Sequence, residues 1–195
     1  MDVTESRSPC PAAVVGSLVD LTGAAFAHHG IYAGVDIDDI DHLVSMLHLL
    51  RPGNVEFSFF DGWLLMLRDE WSEAEALFRS QVRQSVCLPA SQGMLMKCLA
   101  VRTEFGWQDE VREILAGVGD KSVHRLGKLL LAGDELKRAA ASVRRGGRFV
   151  PPESILELEE HGGEQMGEAA NATTAGAFQP SSTYDMLMAM QYLRI

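Results

Sequence analysis

A chain of 195 residues that is 47% apolar can build one domain with a real core, and it is too apolar to be disordered throughout. It contains no 18-residue apolar run of the kind that spans a bilayer. With a formal charge of −10 and a pI near 5.0, its surface repels phosphate backbones, so nucleic acid is not an expected partner.

Residues 1–11 are polar, carry Pro9 and Pro11, and read as a flexible N-terminal arm. No basic region precedes an apolar stretch there, so no cleaved secretory signal is expected. From Ala12 the apolar residues recur at helical spacing as Val15, Leu18, Val19 and Phe26, with Thr22 among them, and Gly30 and Gly34 close the segment. A second helix opens among Asp36, Asp38, Asp39 and Asp41, because acids in a first turn meet unpaired N–H groups and the positive end of the dipole. Its stripe is Ile40, Leu43, Val44, Leu47 and Leu50. Arg51-Pro52-Gly53 stops it, since Pro52 has no N–H to continue the ladder.

A third helix, about Val55 to Arg68, is apolar almost all round (Phe57, Phe59, Phe60, Trp63, Leu64, Leu65, Leu67), so it needs cover on more than one side. A fourth starts at Trp71 with Ala74, Leu77, Phe78 and Val82 inward, and Pro89 ends the segment that follows. Met94–Phe105, a break at Gly106 and Trp107–Leu115 come next. A last core helix, about Lys121 to Leu131, turns Val123, Leu126, Leu129 and Leu130 inward, with helix persisting through the alanines to Val143. Residues 144–182 then have the composition of a flexible linker, in which Ile155, Leu156 and Leu158 suit one short helix. Residues 183–195 regain an amphipathic helical pattern in Met186, Leu187, Met190 and Leu193.

Gly62, Ala74 and Phe78 stand at spacings of twelve and four, the small–small–aromatic skeleton by which two helices of a hairpin approach, and this resembles a tetratricopeptide (TPR) unit. A shift of 36 residues returns it in weakened form: Trp71 falls on Trp107, Phe78 on Ile114, Leu65 on Val101 and Gly62 on Cys98, whereas Ala74 falls on Glu110. The expected fold is all-α over residues 12–143, with about three stacked hairpins in a TPR-like right-handed superhelix; an irregular helical bundle is the alternative.

Chemistry finds no foothold. There is no Gly-x-Ser-x-Gly, Walker-type glycine loop, dinucleotide glycine triplet or His-Glu-x-x-His. His28 and His29 are adjacent, so their rings diverge, and His42 and His48 fall on different faces. His124 and His161 stand alone. The acidic cluster fails as a calcium loop because the twelfth position counted from Asp36 is Leu47, not a bidentate Glu. Cys10, Cys87 and Cys98 form no Cys-x-x-Cys pair, and Cys87 and Cys98 read as buried small hydrophobes. No catalytic, cofactor-binding or metal-binding residue is therefore assigned, no cofactor is expected, and the chain is not expected to be an enzyme.

From Leu43 to Phe78 the sequence carries Leu50-Arg51-Pro52, Asp61-Gly62-Trp63 and Trp71-Ser72-Glu73-Ala74. This series resembles the HrpK-like family of type III secretion proteins, over roughly residues 12 to 132. The resemblance implies a role in protein secretion and virulence, as a TPR-like accessory or chaperone protein. It implies a protein partner within the secretion apparatus, such as a needle or pilus subunit, and allows self-association. A cytoplasmic location is expected, with a peptidoglycan-associated place in the periplasm as the alternative. The tail after Val143 departs from the family core.

Overall fold

The computed structural model describes residues 10–29, 35–152 and 154. Among them are seven α-helices, one 3-10 turn and no strand, so the all-α expectation holds. The elements are α1 (Ala12–His28), α2 (Ile37–Leu50), a 3-10 turn (Val55–Phe57), α3 (Ser58–Leu67), α4 (Trp71–Arg83), α5 (Ala90–Arg102), α6 (Trp107–Gly117) and α7 (Lys121–Arg144). The amphipathic segment at 183–195 and His161 lie outside the described residues, as do Ile155, Leu156, Leu158 and nearly all of the arm. The chain divides into two units, one built on residues 1–91 and 180–195, the other on 92–179.

In the first unit α1 packs on α2, α2 on α3, and α3 on α4. Asp36 caps α2, its carboxylate accepting from the N–H of Ile37 at 2.6 Å, while Asp38 and Asp39 occupy the first turn. Ile40, Val44 and Leu47 are buried along one stripe, as their spacing requires. The Arg51 N–H closes the helix on the Leu47 carbonyl at 3.0 Å, and Gly53 then takes φ +84, which costs glycine nothing. Helix α3 is apolar all round because it is covered by both α2 and α4. Its aromatic residues lock the unit. Phe26 of α1 stacks on Trp63 at 4.5 Å and on Phe60 at 5.8 Å, and Phe59 meets Phe78 edge-on at 5.8 Å.

The Gly62–Phe78 approach is real. A Cβ on Gly62 would stand 2.6 Å from Phe78 Cζ and 3.0 Å from Leu77 Cδ2, so α3 and α4 meet across the space that a side chain would fill. Ala74 is fully buried beside it.

The second unit contains α6 packed on α7, with Trp107, Val111, Val123 and Leu126 buried. Asp120 caps α7 by accepting from the N–H groups of Ser122 (2.9 Å) and Val123 (3.0 Å). A close approach recurs here with its polarity reversed. Gly127 lies on the second helix and Leu115 on the first, and a Cβ on Gly127 would stand 2.6 Å from Leu115 Cδ2.

Several expectations are corrected. Helix α5 starts at Ala90, not Met94, and ends at Arg102: Thr103 takes φ +50 and Gly106 φ +85, and Phe105 lies wholly in solvent. Val101, the 36-residue counterpart of Leu65, is exposed, so the second copy of the skeleton does not pack in that register. Leu129 is exposed at 39%; the buried face of α7 runs through Val123, Leu126 and Gly127, leaving Leu129 off to one side. The last helix, in contrast, persists through the alanines as its sequence implied, running unbroken to Arg144.

Candidate interaction surfaces

The residues weighed for chemistry end up apart. His28 and His42 are exposed; His29 Nδ1 donates to the Val35 carbonyl at 3.2 Å and so fastens the end of α1 to the start of α2. His48 Nε2 donates to both carboxylate oxygens of Asp61 at 3.0 Å, and Arg68 pairs with Asp41 at 3.1 Å, so two polar links tie α2 to α3. All four side chains of these links are more than a third exposed, and each link contributes at most about 1 kcal/mol. Among the described residues no group of three or more His, Cys, Asp or Glu is arranged to hold a metal ion.

Cys98 is buried, as its apolar flanks suggest. Cys87 is not: it is half-exposed in the loop before α5 with φ +51, its thiol 3.6 Å from the Glu56 carbonyl. Partial burial, and then the charge of Glu56, push its pKa above the ordinary thiol value.

Periodicity overlooked a buried polar knot. Gln81 of α4 and Ser91 of α5 are buried, and the Ser91 hydroxyl lies 2.9 Å from both Gln81 Oε1 and the Val86 carbonyl. Gln81 Nε2 donates to Ser58 Oγ at 2.8 Å, and its own carbonyl accepts from the N–H of Val86 at 2.9 Å. Every partner lies within the chain, so the knot fixes the α4–α5 loop, where Ser85 and Cys87 hold positive φ. Its role is structural.

Exposed apolar residues are the remaining candidates for function. On α2, Met46 (46%) and Leu49 (69%) share one side, away from His48 and Asp41, which bind α3. On α1, Val14 and Leu21 are both more than half exposed. The Arg51 guanidinium donates to the Cys10 carbonyl at 2.5 Å, so the start of α1 lies beside the end of α2. This arrangement offers two neighbouring helices with solvent-facing apolar side chains and no chemistry among them.

The model of a bacterial type III secretion protein family, HrpB1_HrpK, matches residues 6–136. No curated protein and no solved structure matches the chain.

Proposed function

The chain belongs to the HrpB1_HrpK family of bacterial type III secretion proteins, and from that premise we propose that it is a chaperone-like accessory factor holding an apolar helix of a needle or pilus subunit. Its role in secretion is non-enzymatic. Among the described residues no helix is long and apolar enough to cross a membrane. The observation that carries the proposal is the outward apolar set Val14, Leu21, Met46 and Leu49 on the paired helices α1 and α2. An amphipathic helix laid across such a pair buries its stripe at no catalytic cost to either partner. The finer architecture is part of this reading: paired helices stacked as TPR-like hairpins in a right-handed superhelix, with the core at 12–143 and the tail appended. Small-angle scattering that fits a closed bundle better than a superhelix refutes that part.

The test is affinity capture from cells expressing the secretion apparatus, using the full chain, a version ending at Val143, and Leu49→Asp. A small secreted subunit should copurify with the first two and be lost with the third. Leu49 is 69% exposed, so its replacement leaves the fold intact. Equal recovery with Leu49→Asp refutes the surface, and recovery of no apparatus protein by the full chain refutes the chaperone role. The reading places the protein in the cytoplasm, where subunits must be kept apart before export. Fractionation that finds it with sacculi instead favours the peptidoglycan-associated role.

A further inference from the structure

Helix α7 carries charge and apolar surface that its partner α6 does not use. Leu129, Leu136 and Val143 recur every seven residues, and all three are about 40% exposed. Residues 121–148 hold eight of the chain's seventeen basic residues and only two acids, within a chain of net charge −10. The next stretch, 153–168, inverts this: six glutamates, no Lys or Arg, and the apolar residues Ile155, Leu156 and Leu158.

The backbone turns back where α7 ends. The N–H of Gly147 donates to the Ser142 carbonyl at 3.1 Å and that of Gly146 to Val143 at 2.9 Å, with Gly146 at φ +89, which is the Schellman arrangement. A Cβ on Gly147 would stand 2.7 Å from Ser142 Oγ and 3.0 Å from the Ser142 carbonyl oxygen, so a larger residue would press on the turn. Farther on, the Ser154 hydroxyl donates to the Glu135 carboxylate, more than two turns back along α7. Seven residues of extended chain reach roughly 23 Å, ample for the roughly 10 Å that separate Ser142 from Glu135 along the helix.

Ala132 completes the case. At 3.6 residues per turn it stands about 180° around α7 from Val123, on the side away from α6 and from Gly93 of α5, whose Cβ position neighbours Leu126 and Val123. Yet it is only 1% exposed. Some other stretch lies over it.

We propose that the outer face of α7, centred on Ala132 between Leu129 and Leu136, is a docking surface for the chain's own acidic segment 155–160. Its apolar residues suit Ala132, and its glutamates suit the basic flank of Lys121 and Lys128, which stand within about 40° of Ala132 around α7. Ser154 delivers the segment to that face. The assignment is independent of any role in secretion and uses a different helix from the α1–α2 surface.

The test is amide exchange on the full-length chain, read by mass spectrometry over residues 155–160. Exchange there should be at least about tenfold slower than in the same peptide free in solution, unchanged across protein concentrations. Leu136→Asp, at an exposed position, should abolish the protection while α6 and the first half of α7 keep theirs. Ile155→Asp with Leu158→Asp should raise exchange around Ala132. Protection that weakens between low and high salt supports the basic flank. Exchange at the free-peptide rate in the unaltered protein overturns the proposal. Protection that appears only as concentration rises overturns it in favour of a second copy, and protection that survives Leu136→Asp shows the segment to lie elsewhere.

Discussion

Three glycines in helices should respond to alanine in three different ways, and the difference follows from what a methyl group would meet. Gly16, inside α1, has no atom within 4 Å of its Cβ position. Gly16→Ala should therefore gain the helix-propensity difference, about 1 kcal/mol. At Gly62 the same gain is opposed by Phe78 Cζ at 2.6 Å, Phe78 Cε1 at 2.9 Å and Leu77 Cδ2 at 3.0 Å. Phe78 cannot step aside, because it is fully buried and its ring sits edge-on to Phe59, itself held by Phe60 and Trp63. Overpacking of this kind costs about 1–3 kcal/mol, which leaves a net loss of about 1 kcal/mol once propensity is subtracted. Gly127 lies between these cases. Its nearest neighbour is the far end of Leu115, a half-buried side chain that can change rotamer, so Gly127→Ala should be nearly neutral. Urea unfolding followed by circular dichroism at constant m-value measures all three, and 1 kcal/mol moves Tm by about 2–4 °C in a chain of this size. If Gly62→Ala stabilises as much as Gly16→Ala, α3 and α4 do not approach as closely as described.

Phe26→Ala removes the α1 ring from the stack on Trp63 and Phe60 and should cost about 3–5 kcal/mol by the same assay, with the loss of α1 helicity first to appear. Gln81→Ala strips the buried Ser91 hydroxyl and Ser58 of a partner; a loss of about 1–3 kcal/mol is expected, and a loss below about 0.5 kcal/mol would show that the knot is dispensable. For the thiols, Cys98 should react with a disulfide reagent only on unfolding. The raised pKa of Cys87 leaves less thiolate at any given pH, so its labelling should keep accelerating beyond the pH at which a free thiol levels off; Glu56→Gln, which removes the secondary cause, should speed it at pH 8.

The helices were legible because their apolar residues repeat at threes and fours and because acids and breakers mark their ends. Asp36 caps where its position before Ile40 implied, and the all-apolar α3 is covered on two sides as it had to be. The Gly62–Phe78 contact was also readable, since only a missing side chain explains a glycine amid Phe60, Trp63 and Leu64. Its second occurrence was not, because Gly127 and Leu115 exchange helices relative to the first, which no fixed shift of the sequence can align. Leu129 misled for a related reason: with Gly127 admitting Leu115, α7 turns a different edge toward α6. Gln81, Ser91 and Glu75 were invisible because a periodicity reading treats polar residues as solvated, while the partners of Gln81 stand ten and 23 residues away. The α1–α2 surface likewise could not be read, since Met46 and Leu49 differ from buried Leu47 only in the angle at which α2 lies on its neighbours.

The ring of Phe26 lying 4.5 Å from that of Trp63 has an optical consequence. The Trp63 indole is dry and sandwiched, whereas Trp71 is half in contact with water. Emission from Trp63 should therefore sit at shorter wavelength and resist collisional quenchers, and it should redden and become quenchable when α1 lifts away. With Trp71 and Trp107 replaced by Phe, one native fluorophore would report in real time whether a perturbation leaves α1 seated or peels it off.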